Sequence, residues 1–231
     1  MPPKKEPHFT PELFSYLKTL KRNNNREWFN KNKGRYEELV KGALLRFIDD
    51  FGPHLEKISR CFVADPRTTG GSMFRIYRDV RFSKNKAPYK THAAAQFRHE
   101  AGKDAHAPGF YLHLEPGSVF TGAGLWRPDG ASVKAIRQAI VDDEKGWRRA
   151  VGSKAFLANA ELSGESLKRP PRGFDADHPL IEDLKRKDFI AGINFSEADA
   201  CSADFLAKFV TACKTFAPLV KFLTQAVGQP Y

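Results

Sequence analysis

Phe74-Arg75-Ile76-Tyr77-Arg78-Asp79-Val80-Arg81-Phe82 is the stretch on which the reading of this chain turns. Taken as a strand, its successive side chains point to opposite faces, so Arg75, Tyr77, Asp79 and Arg81 share one face. Phe74, Ile76, Val80 and Phe82 share the other and are expected to meet the core, with Arg78 the single polar residue among them. Segments of period two surround it, at 61–64, 73–82, 91–99, 109–115 and 118–125. Pro116-Gly117 reads as the hairpin turn between the last two. Parallel pairing would need crossover helices, and there is no room for them, so the sheet is expected to be antiparallel.

Helical patterns flank this region. Thr10-Pro11-Glu12 has the composition of a helix start, and Phe14, Leu17 and Leu20 form its apolar side. Asn23-Asn24-Asn25 breaks that helix and can cap the next, whose stripe is Phe29, Tyr36, Val40, Ala43, Phe47 and Phe51. It is expected to end near Gly52-Pro53 or to continue, kinked, towards Ile58. Trp28 and Phe29 are read as core. Pro128-Asp129-Gly130 opens a helix with Val133, Ile136 and Ile140 on one face, and Trp147 belongs to a second short segment. Residues 168–173 read as a loop, and Asp177-His178-Pro179 as the start of a helix to Leu184. A strand at 189–195 is expected to rejoin the sheet, and Ser202 to cap a closing helical pair through Val227. The expected class is α+β, an antiparallel sheet of about five strands packed with N-terminal and C-terminal helices. One domain over 1–231 is expected, with 1–8 as a disordered tail.

Composition agrees with a folded chain: of 231 residues, 41% are hydrophobic and 19 are Phe, enough for a core that removes roughly 70% of the extended surface from water. Lys plus Arg number 38 against 27 Asp plus Glu. The resulting field favours anionic partners, with an anionic small molecule placed first, nucleic acid second, and protein partners unspecified. No apolar run approaches the ~20 residues of a bilayer span, and the N-terminal residues lack an apolar segment behind their charges, so no membrane association and a cytoplasmic location are expected. Cys61, Cys201 and Cys213 lack C-x-x-C spacing and read as reduced thiols; no cofactor and no metal are expected.

Residues 72–92 hold six Lys or Arg against one Asp. Guanidinium forks match phosphate or carboxylate oxygens in pairs, so Arg75 and Arg81 are expected to clamp an anion, beside Arg78. Tyr77 or Tyr89 would donate a hydrogen bond, Lys84 and Lys90 would add charge, and Asp79 would orient the clamp or serve as a catalytic base. Hydrolysis or group transfer is the reaction class such a site suggests. The alternatives are a non-enzymatic nucleic-acid or protein-binding module on the same surface, and a structural role in which Asp79 merely pairs Arg75 and Arg81 along a solvated face.

Asn24-Asn25-Arg26-Glu27-Trp28-Phe29, Arg35-Tyr36, the run 74–84, Pro88-Tyr89-Lys90-Thr91-His92, the Gly122-x-Gly124-x-Trp126-x-Pro128 pattern, Ile136-Arg137-x-Ala139-Ile140 and the 167–179 segment together resemble the family catalogued as domain of unknown function 2461. The resemblance covers nearly the whole chain and implies no activity. It does favour a shared polar site, because its pattern retains the charged residues of 74–82 as well as the apolar ones. Weaker signals surround this one. The Gly-rich 65–72 stretch reads as a turn, and Gly122-Ala123-Gly124 as close packing beside Trp126 or a site wall. His113 with Glu115, and Asp175, Asp177 and His178, could ligate a metal but lack diagnostic spacing.

Overall fold

The computed structural model of the chain describes residues 6–102 and 107–231. Helix α1 (Pro11–Arg22) starts with Pro11 at its first turn, and Asn25 caps α2 (Arg26–Lys31) by accepting the Trp28 N–H at 2.9 Å. A short α3 (Lys33–Tyr36) and a π-helical turn (Glu37–Gly42) lead into α4 (Ala43–Glu56). Pro53 lies inside α4 and deprives one carbonyl of its helical partner. The helix nevertheless continues, because Phe51 and Leu55 on either side are both buried.

Strands β1 (Ala93–Arg98), β2 (Gly109–Glu115) and β3 (Ser118–Leu125) follow, then α5 (Gly130–Asp142), α6 (Glu144–Val151), α7 (Lys154–Asn159) and β4 (Glu161–Ser163). The chain closes with α8 (Ile181–Leu184), β5 (Phe189–Phe195), α9 (Glu197–Ala200) and α10 (Phe205–Ala226). The sheet runs β1-β2-β3-β5-β4 and every pair is antiparallel, so the α+β class and the five-stranded antiparallel sheet stand. The 109–115, 118–125 and 189–195 strands have the boundaries their alternation indicated. Ser196, not Ser202, makes the last capping box, on α9, and a single long helix α10 follows. None of the helices among the described residues is long and apolar enough to cross a membrane.

All long helices lie on one side of the sheet. Phe97 of β1 meets Phe51 of α4 at 4.6 Å between ring centroids, and Phe209 of α10 meets Phe47 and Phe51 at 5.3 and 4.9 Å. These rings join helix to sheet in one apolar cluster that also includes Phe110, Leu112, Leu114, Val119 and Ala123. Of the expected tail at 1–8, residues 1–5 lie outside the described residues, whereas His8 Nε2 sits 2.8 Å from the Asp50 carboxylate.

The 73–82 segment, expected as a strand, is not a regular strand and bends at Ile76 and again at Arg81 and Phe82. It pairs only through isolated bridges, Met73 with Ala95 and Tyr77 with Tyr89, and 61–64 likewise only through Phe62 with His99. Together 72–92 form an arm folded back along β1. Its root is fixed where the Gln96 N–H donates to the Ser72 carbonyl and the Phe74 N–H to the Ala94 carbonyl, at 2.8 and 2.9 Å. Its returning limb is fixed by Asn24, whose side-chain amide donates to the Tyr89 carbonyl at 2.9 Å and accepts the Tyr89 N–H at 3.0 Å. Because the arm projects past the sheet, the expected core face is not maintained along it. Ile76 is buried, Phe74 and Val80 are half-buried, and Phe82 is 94% exposed.

The face of the sheet away from the helices carries Gln96, Tyr111, Gly122, Gly192 and Glu161 in one cross-strand row through all five strands. Gly109 and Gly124 pair in the next row. Gly124 has φ +119°, and a Cβ there would lie 2.0 Å from the Phe189 carbonyl oxygen. At Gly122 the nearest atom to such a Cβ is 3.6 Å away. Gly124→Ala is therefore expected to cost about 1–3 kcal/mol in urea denaturation, and Gly122→Ala to change stability by less than about 1 kcal/mol. Equal losses at the two positions would contradict this account of the strand.

Candidate functional site

On that open face lies a hollow of about 760 Å³. Gly122 and Gly192 form its floor, because two facing strands present backbone where side chains would otherwise stand. Tyr111, Phe120 and Trp126 rise around them, Phe74 and Lys90 contribute from the arm, and Gln96, His92, Asn194, Ser163 and Glu161 add polar groups. Phe74 packs edge-on to Tyr111 with centroids 6.1 Å apart, so the arm is a wall of this hollow. Trp126 is presented at the rim by Arg127, a non-glycine residue at φ +47°. The Arg127 backbone N–H donates to the buried Asp188 carboxylate at 2.8 Å, and the Arg127 guanidinium stacks on the Trp126 ring at 4.8 Å.

Of the anion-binding residues expected from sequence, Lys90 lines the hollow. It is the one lysine or arginine among the described residues that do so. Its ammonium lies 5.1 Å from the centroid of the Phe74 ring. Burial, and then the nearby Arg75 guanidinium, hold its pKa below the ordinary lysine value. A cation that has already lost part of its hydration is a stronger partner for an incoming anion than a fully solvated one.

The other expected residues have different surroundings. Arg81 grips Asp79 through Nε at 3.0 Å and Nη2 at 2.7 Å, and its backbone N–H donates to the same carboxylate. The fork expected to hold a ligand is thus occupied within the chain. That hydrogen bonding holds the Asp79 carboxyl down at about 2, so at neutral pH it is an ionised partner of Arg81 and a poor proton acceptor. Tyr89 is buried and stacks on Phe29 with centroids 4.0 Å apart, as part of the core. Tyr77 is 53% exposed, Arg75 and Lys84 are exposed, and Arg78 is half-buried on the arm.

Beside the hollow, His92, His113 and Glu115 come together, with one potential ligand atom from each lying within 4.8 Å of the others. His113 and Glu115 are two residues apart on β2, so alternation puts them on one face, as the sequence suggested. His92, just before β1, was not anticipated; only the antiparallel β1-β2 pairing brings it there. His113 Nδ1 is 2.9 Å from the Tyr111 hydroxyl and Nε2 is 3.4 Å from Glu115 Oε2, while Thr91 donates to Glu115 Oε1 at 2.9 Å. Burial and then neighbouring His113 push the His92 pKa down to about 4, and burial lowers His113 as well. Burial works to raise Glu115, but hydrogen bonds from Thr91 and His113 outweigh it and hold the carboxyl below its usual value. Asp175, Asp177 and His178 do not form a comparable cluster among the described residues. Asp175 accepts the Asp177 N–H at 3.0 Å and His178 Nδ1 accepts the Leu180 N–H at 3.1 Å, which are turn contacts.

Fold and site together define an α+β protein with helices on one face of an antiparallel sheet and a polar-rimmed hollow on the other. The chain belongs to the family described as conserved hypothetical protein (DUF2461), whose pattern matches residues 12–222. A search of curated proteins returns no match.

A basic group whose pKa is lowered on folding stays neutral in the folded chain while the unfolded chain takes up its proton. Its stabilising contribution is complete above the ordinary histidine value of 6.5 and is lost as pH falls towards about 4. With chelator present, the melting temperature is expected to fall from pH 6.5 to 4, and to fall less steeply in His92→Gln, which keeps His113, Glu115 and Lys90. Parallel profiles for the two proteins would show that His92 carries no part of the dependence.

Proposed function

We propose that this protein binds a small ligand bearing a phosphate or carboxylate in the hollow on the open face of its sheet. The observation that carries the reading is the half-buried Lys90 ammonium on the wall of a cavity whose floor is glycine and whose sides are aromatic. Lys90 meets the anionic end. Tyr111, Phe120 and Trp126 cover an apolar or ring portion, a common division of labour in small-molecule sites. Glu161 lies across the sheet from Gln96, about 19 Å away at ordinary strand spacing. It suits a donor group at the far end of an elongated ligand. The proposal is of binding; Asp79, the residue considered as a base, is not among those lining the hollow.

A second reading has one observation in its favour. Phe82 is 94% exposed at the end of the basic arm, with the Arg81 guanidinium 5.8 Å from its ring centroid. An exposed ring among cations is what stacking on single-stranded nucleic acid requires.

A thermal-shift screen separates the two. Phosphorylated and carboxylated small molecules, including phenyl phosphate and benzoate, and a short oligonucleotide would be tested on the wild type, Lys90→Met and Gly192→Leu. A Cβ at Gly192 meets its nearest neighbour at 3.6 Å, so the leucine fills the hollow without forcing the backbone. At a hundredfold excess over Kd, a small anion is expected to raise the melting temperature by about 5 °C or more, with the shift lost in both variants. Stabilisation that survives in Gly192→Leu would overturn the site, as would the absence of any small-molecule shift. A shift by the oligonucleotide alone that collapses with salt and with Phe82→Ala would transfer the function to the arm.

A further inference from the structure

We infer that His92, His113 and Glu115 form a binding site for a divalent transition-metal ion of the zinc class, opening onto the hollow. Two imidazoles and one carboxylate are a donor set that suits zinc or a neighbouring first-row ion better than calcium or magnesium, which prefer all-oxygen shells. At metal–ligand distances near 2.05 Å, two ligands of a tetrahedral ion stand about 3.4 Å apart. His113 Nε2 and Glu115 Oε2 are 3.4 Å apart. The largest separation in the cluster is bounded at 4.8 Å, so the ion would draw its widest pair together by at most about 1.4 Å, within reach of side-chain rotation.

The surrounding contacts are those that orient metal ligands. With Nε2 of His113 on the ion, Nδ1 carries the ring proton and donates it to the Tyr111 oxygen, 2.9 Å away, which fixes both tautomer and ring plane. Thr91 donates to Glu115 Oε1 at 2.9 Å and Lys21 Nζ lies 3.8 Å from the same oxygen, which leaves Oε2 for the ion. The His92 and His113 rings stand 4.6 Å apart between centroids, on the same side of the sheet. Three protein ligands leave a fourth position, and His92 is the member of the set that also lines the hollow. An open position is what distinguishes a reactive zinc site from a structural one. The inference does not depend on Lys90 or on the identity of any anion.

The full chain, stripped with chelator and exchanged into metal-free buffer, would be titrated with Zn²⁺ by calorimetry and with Co²⁺ by visible absorption. One ion per chain is expected, with a Co²⁺ spectrum of low coordination number. His92→Ala, His113→Gln and Glu115→Gln should each weaken binding by at least about tenfold, and Tyr111→Phe, which removes only the orienting contact, by roughly tenfold. Circular dichroism checks each fold; should buried His113→Gln fail to fold, the more exposed His92 and Glu115 variants decide. Lys90→Met, which removes the anion's partner but none of the three ligands, should still take up one ion per chain, so failure of the anion reading and failure of the metal site are separate outcomes. No uptake of either ion by the folded wild type overturns the site. So does uptake unchanged in the His92 and Glu115 variants, which would place the ion elsewhere.

Discussion

Glycine facing glycine across paired strands is the constraint on which this structure depends. The pairing of Gly122 with Gly192, and of Gly109 with Gly124, removes side chains from the middle of the sheet's open face while the other face is filled with Phe97, Phe110 and Leu112 against the helices. A shift of one residue in that register would turn the core side chains outward and the glycines inward. Burial of one face therefore fixes the shape of the other. The hollow is a consequence of the same pairing that makes the core.

The arm over 72–92 completes the site from outside the sheet. Its root is held by β1 and its returning limb by the Asn24 amide and the Tyr89–Phe29 stack, so Phe74 and Lys90 are positioned by contacts made far from the cavity. Between those anchors the chain reaches into solvent, and the charges there resemble any exposed network. The bidentate Arg81–Asp79 pair is two residues apart and solvated, a contact of small energetic weight. Position relative to the sheet, more than charge density, separates Lys90 from its basic neighbours.

Much of the fold was legible in the sequence, because alternation and helical stripes report burial directly. The strands at 109–115, 118–125 and 189–195, the capping Asn25 and the helix opened by Asp129 all follow from local rules. Residues 73–82 did not, since alternation assumes a neighbour on each face. Phe82 extends beyond the sheet and has the core on neither side. Strand β4 was missed because Glu161-Leu162-Ser163 is too short for a period to register. Of the site, Lys90 and the Gly122-Ala123-Gly124 wall were in view, and so were His113 and Glu115. His92 with Gln96, Asn194 and Glu161 come from three separate segments, and a glycine leaves no chemical signature of the space it creates. Those residues become a site only through a register that no single segment encodes.

The most direct test of the central claim is a nitrogen-15 NMR titration of the full chain with phenyl phosphate. If the hollow is the functional site, the amides of Gly122, Gly192 and Gly109 shift saturably, with Lys90 and Trp126 following the same curve. Perturbation confined to residues 75–86, growing without saturation as added salt would produce, would contradict it.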